Sequence, residues 1–293
     1  MTAAGPPGPG QGWRWDETLY AGAAPYYSRG RMPYPAGLIA ALRDGLALDG
    51  TGAVLDAGCG PGALTLLLAP LAGEVTGLDG SAGMIAAARS AAGRAGITNA
   101  RWVQLRAEDM TAALGRFRAV TFAQSFHWLD RPAVAARVRE VLEPGGACAL
   151  VYATTHAGVP GEYALPRPRP PRAEIDRLVA AYLGSIKRAG RGTRTGGTGG
   201  EQAMHASDEE VLTDAGFTGP ERTEIPGAPV TERTEDEVVA SVFSLSYAAP
   251  HLLGDDVDRF ETDLRALLRR AAPDGQFCEE PRGIAVDVWR PGS

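Results

Sequence analysis

Lysine is all but missing from this chain: Lys187 is the single lysine among 29 basic residues, and the remainder are arginine. The bias matches the codon usage of a GC-rich genome and implies no mechanism. Cysteine is also scarce. Cys59, Cys148 and Cys278 lie far apart without CxxC or Cys/His spacing, which excludes a disulfide framework and a zinc site. We therefore expect a reducing, cytoplasmic setting and no bound metal. An excess of positive charge is missing too. A net charge of -6 leaves no basic footprint, so nucleic acid is not an expected partner. No apolar run approaches the roughly twenty residues of a membrane span, so no membrane is expected either. The opening "MTAAGPPGPGQG" lacks the charged start and apolar centre of a secretion signal, and residues 1–18 read as a disordered tail. The expected partner is a small molecule, bound by a monomer or homodimer.

What is present is an alternation of short β-type runs and longer helical patterns from Ala53 to Ala153, the pattern of βαβ units and a parallel sheet. Strands are expected at 53–57, 74–79, 100–106, 119–124 and 147–153, with helices near 62–71, 81–95 and 132–142. The last helix should stop at "EPGG". Beyond Tyr152 the alternation fails. "PRPRPPR" (166–172) leads into a helix near 173–188, and "GRGTRTGGTGG" (190–200) reads as a flexible loop. Helices near 208–215, 234–247 and 255–271 and strands near 220–225 and 283–291 complete the chain. Four regions follow: the tail, an N-terminal helical cap segment (19–50), a cofactor-binding core (51–157), and a completion of the sheet (158–293). The last carries cap insertions at 158–206 and 231–282.

The densest signal is "VLDAGCGPG", followed by "VTGLDG". A glycine-rich turn between strand and helix lets backbone approach a ligand closely and presents free N–H groups. Gly58, Gly60 and Gly62 supply the turn, and Asp79 stands where a ribose diol finds a bidentate acceptor. Gly58, Gly60 and Ala63 also satisfy GxGxxG/A, so a nicotinamide dinucleotide stays open on the glycines alone. Asp56 argues against it, because a carboxylate beside the turn repels a pyrophosphate and attracts a cationic or amino-bearing ligand. Pro61 removes one N–H that a pyrophosphate could use. A glycine turn that merely packs tightly is the plain alternative.

"VLDAGCGPG", "VTGLDGSAGMIAAAR", "RAEDM", "FAQSFHWLDRP" and "VLEPGGACALVY" follow one another in the order of the motifs of class I S-adenosylmethionine-dependent methyltransferases. The chain resembles that family from about Tyr27 to Tyr152, most nearly its type 11 and trans-aconitate methyltransferase-like branch. The resemblance implies a Rossmann-like seven-stranded, mostly parallel α/β sheet with helices on both faces, and a helical cap over the active site. It implies S-adenosyl-L-methionine as cofactor, with Asp56 and the Gly58, Cys59, Gly60, Gly62 turn facing its methionine part. Asp79 would hold the ribose, Gly80, Ser81 and Met84 would flank ribose or adenine, and the segment Arg106, Ala107, Glu108 and Asp109 would border adenine. Arg106 stands where relatives often have an acid. "YYSRGRMPYP" resembles the family's YxxxRPxYP segment, which brings Tyr27 and Arg31 over the cofactor, with Met32 in place of a proline. Gln124 and Ser125 would lie near the cofactor.

Methyl transfer from a sulfonium needs an aligned acceptor, exclusion of water and, for an acidic acceptor, removal of a proton. His127, in "QSFHW", is the expected general base. Its alternative is to start the next helix with Trp128 and pack under the cap. Tyr26, Trp128, Phe243, Tyr247 and His251 are the expected acceptor contacts, against the alternative of an amphipathic helix burying a core stripe. The expected acceptor is a carboxylate, hydroxyl or carbon centre of a natural-product intermediate, in secondary metabolism. Other readings are non-methylating chemistry on the same cofactor, such as cyclisation or elimination, or a catalytically silent binding protein. A nicotinamide-dependent oxidoreductase is a further one. In competition calorimetry S-adenosylmethionine should displace NAD; preference for NAD would reverse the cofactor reading.

Overall fold

The computed structural model describes residues 22–161, 163–184, 187–189, 192–194 and 208–292. The expected tail (1–18), most of the glycine loop at 190–200, and His205 lie outside them. The elements in chain order begin with α1 (Ala24–Gly30), α2 (Gly37–Gly45), β1 (Ala53–Ala57), α3 (Ala63–Leu68), β2 (Glu74–Asp79) and α4 (Ala82–Arg94). β3 (Ala100–Gln104), β4 (Phe117–Ala123), α5 (Arg131–Val141), β5 (Leu142–Tyr152) and α6 (Arg172–Leu183) follow. A short hairpin, β6 (Lys187–Ala189) and β7 (Gly192–Arg194), precedes α7 (208–214) and β8 (Phe217–Ile225). The chain continues through β9 (Thr231–Thr234), α8 (Glu235–Phe243), α9 (Pro250–Leu253), α10 (Val257–Ala271), β10 (Gln276–Glu279) and β11 (Ile284–Pro291).

The seven-stranded sheet has the order β3-β2-β1-β4-β5-β11-β8. Its pairs from β3 to β5 are parallel, and β11 runs antiparallel to both neighbours. The expected Rossmann-like fold is the observed one. β1 is buried on both faces, which is why it reads as a nearly continuous apolar run. The pleat still sorts it: Val54 joins a core with Leu38 and Leu42 of α2 and Leu64 of α3, and Leu55 joins one with Val134 and Val138 of α5. Because β1 lies between β2 and β4, the chain leaves it toward opposite sides, and a crevice opens at its carboxyl end.

Local chemistry sets the element ends. Ser81 caps α4 by accepting the Met84 N–H, and Thr234 and Glu237 form a reciprocal capping box on α8. β5 differs from expectation by starting at Leu142, so "EPGG" is strand and not linker. β4 advances from Phe117 to Ala119 while β5 advances from Leu142 to Ala147, and the surplus bulges out at Pro144, Gly145 and Gly146. A proline without an N–H and a glycine at positive φ suit an unpaired bulge. α6 stops at Leu183 because Gly184 takes a positive φ.

Segment 19–50 divides between two partners: α2 packs on the sheet, whereas Tyr26 of α1 joins a third core with α6, α8, α9 and α10. That cap core contains Phe243, Phe260 and Phe277, all fully buried. In α10 the buried residues Phe260, Leu264 and Leu268 recur every fourth position and lie on one stripe. Glu279 is the cap's polar centre. It accepts from Arg172 of α6 and Arg233 of β9, and Arg233 also donates to the carbonyl of Gly30 in α1. A buried carboxylate matched by two guanidinium groups avoids the penalty of an unpaired charge.

α1 meets α8 so closely that a Cβ on Gly30 would overlap the backbone of Ala240. Gly30→Ala should therefore lower stability by about 1–3 kcal/mol in thermal or denaturant unfolding. Gly93, inside α4, faces open space. Gly93→Ala should raise stability by roughly 0.5–1 kcal/mol, since only backbone freedom changes.

Candidate functional site

The crevice at the end of β1 is a cleft of about 650 Å³ counted to its open mouth. One wall is the turn from β1 to α3. Gly58 and Cys59 both donate backbone N–H bonds to the carbonyl of Leu78 in β2, which folds the turn back over the sheet edge. The glycines of this turn then have different tasks. A Cβ on Gly60 would meet nothing within 4 Å, so its backbone lies bare at the cleft. A Cβ on Gly62 would come 2.8 Å from the Trp102 ring, so that glycine serves packing behind the turn. Gly58 is confined by Ser125, whose Oγ donates to the Ala57 carbonyl at 2.7 Å and ties the ends of β1 and β4 together.

Asp79 ends β2 facing the cleft. One carboxylate oxygen accepts from Gly60 N–H at 2.9 Å and the other from Ser81 N–H at 2.8 Å, so the glycine turn and the start of α4 fix its plane. Burial raises its pKa against the lowering effect of these two bonds. Each oxygen retains a lone pair for a ligand hydroxyl. Gly80 and Met84 continue this wall, together with Leu78. Ala107 and Glu108 come next, in the 3-10 turn after β3. Glu108 is steadied by the Asp130 N–H on one oxygen and by Arg106 Nε, 3.4 Å from the other.

The opposite wall comes from β4. Gln124 takes a left-handed conformation at φ 54, unusual for a residue with a Cβ, while its N–H still donates to Val151 of β5. Ser125 and Trp128 line the cleft with Leu129, and Tyr27 reaches it from α1. Sequence reasoning left Leu78, Ala123 and Leu129 unnamed, because apolar strand ends carry no chemical signature. It placed the segment Arg106 to Asp109 at the adenine edge, and of that segment Arg106, Ala107 and Glu108 line the cleft.

Several expected residues sit elsewhere. Asp56 does not face the cleft. It is 1% exposed, and its oxygens accept from Thr65 Oγ1 of α3 at 2.6 Å and Thr121 Oγ1 of β4 at 3.1 Å, beneath the turn. Burial pushes its carboxyl up to about 6 despite those two hydroxyls, and Asp79 adds to the rise. Cys59 is buried, with burial holding its thiol well above the usual range. Ser81 caps α4, and Asp109 is exposed. The Arg31 guanidinium lies on the Tyr27 ring and donates to the hydroxyl and carbonyl of Ser244, so its fork is turned to α8. Phe243 is a core residue of the cap between Tyr26 and Phe260, and both Tyr26 and Tyr247 pack against that core. The helix-stripe alternative therefore describes Phe243. His251, on α9, is half-buried and does not line the cleft. His127 is half-buried with its ring 5.3 Å from that of Trp128, beside the lining residues but not among them. Among the described residues, no His/Cys/Asp/Glu group could hold a metal, and no helix is long and apolar enough to cross a membrane.

Residues 54–146 match the family model described as a methyltransferase domain. The chain is 38% identical over 114 residues to a protein-L-isoaspartate O-methyltransferase of Anaeromyxobacter dehalogenans, covering 39% of this chain and 52% of the relative. It is 32% identical over 142 residues to an uncharacterized methyltransferase of Mycobacterium tuberculosis, covering 48% and 55%. The chain thus spans about half the length of the curated relatives it matches. A solved structure of a proposed type II methyltransferase from Anaeromyxobacter dehalogenans superposes with a TM-score of 0.50 and 21% identity, over 88% of this chain and 95% of that one. That likeness establishes the shared fold.

The raised Asp56 pKa has a defined signature. The folded chain holds this proton more tightly than the unfolded chain, so the group's contribution to stability is greatest below the ordinary value near 3.8 and falls as pH rises to about 6. The loss amounts to about 3 kcal/mol. Unfolding measured between pH 4 and 7 should show that fall in the parent chain and not in Asp56→Asn; parallel curves would show that Asp56 does not titrate there.

Proposed function

We propose that this chain, whose residues 54–146 form a methyltransferase domain, transfers the methyl group of S-adenosylmethionine to a small-molecule acceptor. The observation that carries the reading is the pairing of Asp79 with the bare backbone of Gly60 at one cleft. A nucleoside needs both. Asp79 supplies a fixed, charged acceptor for two ribose hydroxyls, and Gly60 leaves room for a ligand to lie against the chain. At the turn itself Pro61 lacks an N–H and Gly60 N–H is spent on Asp79, so two donors that a pyrophosphate would use are missing.

When bound, the cofactor supplies an electrophilic methyl on a sulfonium. The chain's part is to bind, orient and keep water away. Leu78, Met84 and Leu129 offer apolar surface for a base, and Glu108 offers an acceptor for its amino group. Trp128 lines the opening as an aromatic residue of the kind that favours a cationic centre, and Tyr27, whose ring already carries Arg31, lines it from α1. Gln124, held in its strained conformation, lines the cleft at the end of β4. Where the acceptor is an acid, His127, two residues beyond Ser125, takes the proton. The acceptor is expected to enter beneath the cap, from the side of α1.

Asp79→Asn should weaken binding of S-adenosylmethionine at least about tenfold in calorimetry, because charge-assisted hydrogen bonds to the ribose are lost. His127→Ala should lower turnover about a hundredfold at unchanged cofactor affinity. A parent chain that binds neither S-adenosylmethionine nor S-adenosylhomocysteine would overturn the reading. Release of S-adenosylhomocysteine with an acceptor present would establish transfer.

A further inference from the structure

The carboxyl edge of the sheet opens a second time beyond β4. A cavity of about 1190 Å³ counted to its open mouth is bounded by Tyr152 and Thr154 at the end of β5, Ile225 and Pro226 at the end of β8, and Arg282 and Ile284 at the start of β11. It shares no lining residue with the first cleft. The two openings nonetheless stand on adjacent strands: Gln124, at the first, donates its backbone N–H to the residue preceding Tyr152, at the second.

The second cavity contains an unmatched cation. Arg282 Nε is buried, and among the described residues nothing accepts a hydrogen bond from it. Neither Glu224, on the exposed rim, nor Glu280, two positions earlier, comes within ion-pair distance. Among the described residues, other arginines with buried nitrogens retain a partner: Arg169 leaves Nε and one Nη without an acceptor but donates through its other Nη to the Tyr163 carbonyl, and Arg106 Nε lies 3.4 Å from Glu108. Arg172 and Arg233 are matched to Glu279, and Arg222 is held by both oxygens of Asp287. A guanidinium nitrogen removed from water without an acceptor is costly, and native chains rarely leave one so.

A carboxylate would supply the missing counter-charge at the guanidinium's outer nitrogens, which are not among the buried unpartnered atoms, and a guanidinium grips one with paired hydrogen bonds. The rest of the lining restricts the class. Ile225, Pro226 and Ile284 suit an apolar body. Glu224 at the rim disfavours a second negative charge. We propose that this cavity binds a monocarboxylate with an apolar body, held through Arg282. The acid is either the acceptor of the methyl-transfer reading, on which that assignment rests, or a separate ligand of the same chemistry.

Phenylacetate is a suitable probe, titrated into the full chain by calorimetry or ligand-observed NMR. Saturable binding is expected, weakened at least about tenfold in Arg282→Gln, partly restored in Arg282→Lys, and absent with the neutral phenylacetamide. Arg282→Gln should bind S-adenosylhomocysteine as the parent does, which also shows that the variant folds. No binding of phenylacetate to the parent, or equal binding to parent and Arg282→Gln, overturns the proposal, as does equal binding of the amide. Arg282-dependent phenylacetate binding in a chain that ignores S-adenosylhomocysteine would support this site and overturn the methyl-transfer reading instead. With S-adenosylmethionine present, phenylacetate-dependent release of S-adenosylhomocysteine identifies the acid as acceptor; Arg282-dependent binding without it identifies a separate ligand.

Discussion

A carboxylate buried under the turn between β1 and α3 holds the cleft in shape. Asp56 reaches Thr65 in the first turn of α3 and Thr121 in β4, so one side chain joins the central strand to the helix after it and the strand beside it. Burying that charge is unfavourable, and two hydroxyl donors only partly offset the loss of water. What the arrangement secures is geometry. With α3 tied down at Thr65 and Gly58 and Cys59 bonded to Leu78, the turn that carries Gly60 is anchored on both sides, and Gly60 N–H in turn bonds one oxygen of Asp79. The carboxylate that faces the cleft thus inherits its orientation from one buried beneath the turn.

The sequence was most readable where physics is most local. β1 and β2 end where their apolar runs and terminal acids end, because central parallel strands are buried on both sides and have little freedom in register. Gly60 and Asp79 were legible for a similar reason, since a strand–glycine–helix junction leaves few ways to arrange them. Asp56 was misplaced because strand alternation gives the face on which a side chain lies, but not whether threonines from other elements have already claimed it. Gly62 resembles Gly60 in one dimension, and only Trp102 from β3 tells them apart. Phe243 and Arg31 failed likewise: an apolar helix stripe and an arginine beside a tyrosine look the same whether they face a ligand or the neighbouring helix.

The cap is where the reading became coarse. Its core is built from α6, α8, α9 and α10, whose contacts span long stretches of chain, and its charges are matched within the cap around Glu279. A methyltransferase fold fixes how a cofactor is held and leaves the acceptor to such added parts. Here the sheet edge carries two openings that differ in charge, one with Asp79 and Glu108 beside Arg106 and the other with Arg282 and a rim carboxylate, Glu224.

α1 contributes to both halves of the molecule at once. Tyr27 lines the cleft, and three residues later Gly30 lies against Ala240 while its carbonyl binds Arg233. A molecule held between Tyr27 and Asp79 would therefore rivet the cap to the sheet through one turn of helix. By linkage, occupancy of the cleft should slow amide exchange deep inside the cap, at α8 and β9, far from any atom the ligand contacts.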